Sequence, residues 1–174
     1  VKGNYENFLA VKKQHEKLGD ILSKTKFTMG KIGLTIEEMG LIHSDCISIP
    51  ATKFLSVLPK VNPKDKLSEQ CLALLFDWDG SMDQDRVEPT IYSAFWHSFV
   101  RLAVTPLLGT QTEGAVSSIG RGAPAHLRSV GLMILNAVEQ EDVSFLPQNT
   151  DWSSVLSQGL AQAVDWLQKT LGNE

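Results

Sequence analysis

The 174-residue chain contains no run of lysines or arginines, no CxxC pair and no apolar stretch long enough to span a bilayer. Each absence removes a class of function. With a net charge of −4 and no basic run, there is no surface suited to nucleic acid or anionic lipid. The longest apolar runs, such as "LALLF", fall far short of the roughly 20 residues a transmembrane helix needs. Two cysteines, Cys46 and Cys71, allow one disulfide arithmetically but form no scaffold pattern, and they define no compartment. The N-terminal "VKGNYENFLAVKK" lacks the apolar core of a signal peptide and an initiator Met, so a processed or excised chain is expected.

Catalytic signatures are missing too. There is no GxSxG elbow. A nucleophile that uses its own α-amine as base needs Ser, Thr or Cys at position 1, where Val1 stands. "GRGAP" follows no strand and carries no Lys-Ser or Lys-Thr, so it is not a phosphate loop. No cofactor-binding pattern is present.

What the chain does have is core material: 43% hydrophobic and 21% charged residues, enough for one domain over residues 1–174 without disulfide or metal staples. Its pattern is helical throughout. Phe8, Val11, His15, Leu18 and Leu22 recur at spacings of three and four. Thr35-Ile-Glu-Glu38 is a capping box that predicts a helix running towards Ile47. Ser48 with Pro50 predicts a restart, ending near "LPKVNP". A short helix is expected over 67–76. A long one is expected in "PTIYSAFWHSFVRLAVTPLLG", its polar stripe Ser93, His97, Arg101 and Thr105 in steps of four, ended by Pro106 and Gly109. Residues 110–123 form a Gly- and Ser-rich loop, expected to be flexible. A helix over 124–140 follows, then a last amphipathic face of Leu156, Leu160, Ala163, Val164, Leu167 and Leu171. The expected fold is all-α, a compact bundle of about six helices.

The densest acidic stretch is "LLFDWDGSMDQDRVEP", where Asp77, Asp79, Asp83 and Asp85 surround Gly80. A calcium loop needs oxygen ligands at positions 1, 3 and 5, glycine at 6 and a bidentate Glu at 12. With Gly80 at position 6, Leu75 takes position 1 and Arg86 position 12. With Asp79 at position 1, Gln84 takes the glycine's place. Neither register closes a cage. The simpler expectation is that Gly80 closes a helix, Asp83 or Asp85 caps the next, Glu88 favours its dipole and Trp78 anchors packing. A glycosidase-type carboxylate pair would need one buried acid, which capping makes unnecessary for Asp77 or Asp79. His43 and Cys46 have zinc-compatible spacing but no second pair, and their alignment with Ile36, Met39 and Ile47 predicts packing instead. His15 reads as a core histidine and His97 as a solvated one. His126 has no acid or nucleophile near it in sequence. The residues present no complete catalytic or metal site.

The segment "CLALLFDWDGSMDQDRVEPTIYSAFWHSFVRL" resembles the β-chain of the penicillin acylase (penicillin amidase) family: Trp78, Asp79 and Gly80, an acidic spacer, then Ile91-Tyr92 and Trp96. "TIEEMGLIHSDCISIPATKFLSVL" is similar to an upstream helix of that family, matching at Asp45, Ser48 and Ala51, with His43 where Gln is usual. "DWSSVLSQGLAQAVDWLQKTLG" is similar to a later amphipathic helix. The resemblance implies a helical insertion belonging to an αββα N-terminal nucleophile hydrolase that cleaves acylated β-lactams, acyl-homoserine lactones or similar amides. Its partner would be the remainder of that hydrolase, and its members are usually exported. The family's nucleophilic Ser and oxyanion Asn match no position here. The implied role is structural, with Trp78, Asp79, Gly80, Tyr92 and Trp96 as a motif. The competing expectation is a free-standing α-helical protein-interaction module.

Overall fold

A computed structural model describes residues 35–109, 112, 130–144 and 146–172. The helix expected through 8–22, most of the 110–123 loop, the start of the 124–140 helix, His15 and His126 lie outside the described residues.

Six α-helices have defined bounds among the described residues: α1 (Ile36–His43), α2 (Ile49–Leu55), α3 (Lys66–Phe76), α4 (Glu88–Leu108), α5 (Val130–Glu139) and α6 (Trp152–Leu171). A 3-10 turn, Leu58–Lys60, links α2 to α3. The described residues contain no strand, only one isolated antiparallel bridge between Ile47 and Ser81. The chain is all-α and compact, as its periodicity requires. No described helix is long and apolar enough to cross a membrane.

Side-chain caps set most helix starts. Thr35 Oγ1 accepts from the Glu38 amide while the Glu38 carboxylate accepts from the Thr35 amide, completing the capping box. Ser48 caps α2, Asp65 caps α3 and Asp151 caps α6. Hydrogen bonds from Ser68 and from Ser154 hold the Asp65 and Asp151 carboxyls below their usual range.

Several expected boundaries move. α1 stops at His43 rather than near Ile47, because Asp45 Oδ1 takes the Ile47 amide and the Ser48 amide donates to Gly80 O. Pro106 sits inside α4 rather than ending it. So close to the helix terminus, its missing N–H removes one ladder bond, and the Gly109 amide still reaches Thr105 O. Leu171, assigned to the buried face of α6, is the last residue of that helix and 68% exposed.

The core runs along α4 and α6, the most extensive helix pair. Gly159 of α6 faces Phe99, and a Cβ there would lie 3.2 Å from Phe99 Cα, so glycine sets the approach of the two helices. Phe54 of α2 is fully buried at the hub, its ring 4.8 Å from Phe95 and 5.6 Å from both Tyr92 and Trp96. These edge-on contacts match the rings' quadrupoles and add to area burial.

The turn after α2 is tied to the start of α6. Asn62 donates its amide to Ser157 Oγ and its Nδ2 to Ser153 Oγ, while Ser153 Oγ donates to Lys60 O. Lys60 in turn reaches Val138 O and the Glu141 carboxylate at the end of α5.

Candidate functional site

Two features are distinctive: the corner built by the Trp-Asp-Gly stretch and a groove along the outer face of α4. At the corner, α3 ends at Phe76 with Asp77 as its C-cap, three residues before Gly80. Gly80 is therefore not the helix-closing residue expected. It has φ +85, and its carbonyl accepts the Ser48 amide at 3.0 Å. A Cβ at Gly80 would lie 2.8 Å from Thr52 Cγ2 of α2. Both the backbone conformation and the space beside α2 demand glycine.

The bridge continues on the far side, where the Met82 amide donates to Cys46 O at 2.9 Å. Trp78 is 3% exposed, and its Nε1 donates to Ser81 O at 2.9 Å. Its ring packs 5.4 Å from Tyr92, which lies 6.0 Å from Trp96. Trp78, Asp79, Gly80, Tyr92 and Trp96 thus meet at one corner, although sequence separates the first three from the last two. Burial pushes the Tyr92 phenol up to about 12, against a hydrogen bond with Ser48 that acts the other way. At neutral pH that phenol keeps its proton and serves as a packing and hydrogen-bonding group, not a base.

The acidic residues are held by turns and by Arg86. Asp79 Oδ1 accepts from the Ser81 amide at 3.0 Å and from Arg86 at 3.4 Å. Arg86 grips Glu88 through two nitrogens, at 2.8 and 3.3 Å. That bidentate contact holds the Glu88 carboxyl below its usual range and raises the Arg86 guanidinium. Asp83 Oδ1 takes the Asp85 amide, so neither aspartate caps α4; the N-cap is Val87, without a side-chain bond. Pro89 in the first turn has no amide to satisfy there, which lessens the need for a cap. Asp77 is exposed and Asp79 half-buried and paired with Arg86, so neither sits in the enclosed apolar pocket that a glycosidase acid needs.

His43 and Cys46 depart from the packing expected of them. Both are exposed, and Cys46 Sγ lies 3.0 Å from Ser81 Oγ. Among the described residues no group of three or more His, Cys, Asp or Glu is arranged to hold a metal ion. Burial pushes the Cys71 thiol up, away from the reactive thiolate.

The second feature is a groove of about 970 Å³ between the outer face of α4 and the end of α6. His97, Arg101 and Leu102 line one side, Gln162 and Trp166 the other. The stripe Ser93–His97–Arg101–Thr105 lies in it, and all four are exposed. Ser93 and Thr105 turn their hydroxyls back to Pro89 O and Arg101 O at 2.7 Å, so their protons stay within the helix. No nucleophile–base hydrogen bond is formed there by the described residues.

Sequence reasoning missed Arg86 as the clamp, Ser48 as the Tyr92 partner and Trp166 as the groove wall. Arg86-Val-Glu88 offered a signal, a cation two residues from an acid at a helix start. Trp166 offered another, an aromatic off the apolar stripe of α6.

The fold and the corner define an all-helical unit organised on a Trp-Asp-Gly turn. Residues 15–174 match the penicillin amidase family, and the chain belongs to it. No curated protein matches the chain.

Proposed function

We propose that this chain is the supporting helical unit of a penicillin acylase-like amidohydrolase, a larger protein whose αββα core carries the nucleophile. The observation behind this reading is that the family match falls on helices whose hydroxyls and carboxylates are consumed by caps, turns and the Arg86 clamp. Such groups stabilise a shape; they are not poised to attack an amide. The substrate of the parent would be an acylated β-lactam, an acyl-homoserine lactone or a similar linear amide, and the parent would be exported. The whole chain, residues 1–174 with the 110–123 loop, would act as one domain docked on the core.

The test is made in the full-length hydrolase. Gly80→Ala is expected to cut the yield of folded enzyme severalfold while kcat/KM of the surviving enzyme stays within about twofold. Undiminished yield with a large loss of kcat/KM would assign the corner to catalysis instead. A second reading, a free-standing protein-interaction module, is favoured by the open groove with its exposed Trp166. A short gene ending near Glu174 would support it.

A further inference from the structure

Side-chain size shapes the groove between α4 and α6. Its floor is made by Ala94, Ser98 and Leu102, half-buried and four residues apart on α4, two of them small. Longer side chains form its rims, His97 and Arg101 from α4 and Gln162 and Trp166 from α6. Gln162 and Trp166 are also four apart, which sets the carboxamide beside the indole on one face of α6. From Pro89 to Thr105 the groove runs about 24 Å at the helical rise of 1.5 Å per residue. A volume of about 970 Å³ over that length gives a mean section of about 40 Å², roughly 7 Å across. A helix with its side chains is about 10–12 Å wide, too broad for this slot. An extended chain one ring wide fits it.

The chemistry of the lining narrows the occupant further. Ser93 and Thr105 spend their hydroxyls on their own helix. Among the described residues, by contrast, no hydrogen bond engages the side chains of His97, Ser98 or Gln162. A neutral imidazole, a hydroxyl and a carboxamide can each donate and accept. A ligand hydroxyl has the same double capacity, whereas a carboxylate only accepts and an ammonium only donates. No lining residue is acidic, so nothing in the groove attracts a cation. Arg101 already has an interaction of its own, which competes with an incoming anion. Trp166 is half exposed and adds a flat apolar wall, on which the C–H face of a sugar ring can stack. An aromatic wall with a few polar groups beside it is the usual composition of a ligand site.

We propose that this groove binds a neutral, hydroxyl-rich chain, a short oligosaccharide, with one ring stacked on Trp166 and its hydroxyls bonded to Gln162, His97 and Ser98. The lining carries no carboxylate, so the site holds the sugar without cleaving it. Such a site goes beyond the hydrolase reading and does not depend on it.

The test follows the indole N–H resonances of the isotope-labelled 174-residue chain as cellopentaose, maltopentaose or chitopentaose is added. The Trp166 signal, assigned by its loss in Trp166→Leu, is expected to shift saturably with at least one of the three, at a dissociation constant on the order of millimolar or below. The Trp78 signal, whose N–H is held on Ser81 O, is expected to stay in place, and its unchanged position in each variant shows that the corner is folded. Followed at the backbone amides of α6, binding is expected to weaken about tenfold or more in Trp166→Leu and about threefold in Gln162→Ala. No saturable shift with any of the three sugars overturns the proposal. So does binding that keeps its full strength in Trp166→Leu. Tighter binding of a proline-rich peptide, or of the carboxylate 2-naphthoate, than of any sugar would make the occupant an extended peptide or an anion and overturn it too.

Discussion

α1 leads through the 44–48 segment into the Trp-Asp-Gly corner, and the two are built on opposite plans. The corner is secured mainly by long-range contacts, two main-chain bonds to Cys46 and Ser48 ahead of α2 and an aromatic contact onto α4, with an indole N–H on Ser81 O added locally. α1 is secured by local ones, a reciprocal cap at one end and a Ser44 turn at the other, with its apolar side chains in solvent. Local bonds decide where a helix starts and stops; burial decides whether it is held. The corner is therefore the structural keystone, and α1 is a surface element that buries none of its residues.

That contrast can be broken from either side. The largest effect is expected from Phe54→Ala, which empties the hub touched by Tyr92, Phe95, Trp96 and Phe99. A loss of about 3–5 kcal/mol should appear as a lower denaturant midpoint. Gly80→Ala comes next, costing about 1–3 kcal/mol for a left-handed backbone with a methyl pressed on Thr52. Arg86→Ala should cost about 1 kcal/mol, since a third of the Arg86 side chain meets solvent and screening weakens the pair.

Acid should act on the same clamp. The Glu88 carboxyl is depressed in the folded state, so its contribution is present above the unfolded value of roughly 4.3 and is lost as pH falls through the lower folded value. Tryptophan fluorescence followed below about pH 4.3 should report that step, and in Arg86→Ala it should move to higher pH. The smallest effect belongs to α1. Thr35→Ala should loosen the first turn by about 1 kcal/mol locally, yet shift the global midpoint by less than about 0.5 kcal/mol. A large global shift from Thr35→Ala would erase the distinction between the two regions.

The sequence made the local features readable and hid the distant ones. The Thr35 capping box, the Ser48 cap and Trp78 as a packing anchor follow from short-range chemistry, and the structure has each of them. The position of Gly80 did not follow. A glycine just after an apolar helix looks like its terminus, but here the left-handed residue serves a bridge to Ile47, more than thirty residues away. The exposure of His43 and Cys46 was equally hidden, because periodicity gives a helix its apolar face without saying whether a partner meets it. Val87 as the N-cap of α4 escaped for a related reason: Asp83 spends its oxygen on the Asp85 amide, a turn competing with a cap. Of the groove, only the polar stripe on α4 was legible. Its second wall, Gln162 and Trp166, arrives from α6 through tertiary packing.

Whether the polar groups of this chain hold a shape and catalyse nothing is tested most directly by incubating the purified chain, in micromolar amounts, with a chromogenic phenylacetyl anilide. The expected result is release of the aniline no faster than in buffer alone. Saturable release that is lost in the destabilised Phe54→Ala variant would contradict it and place an active site within these helices.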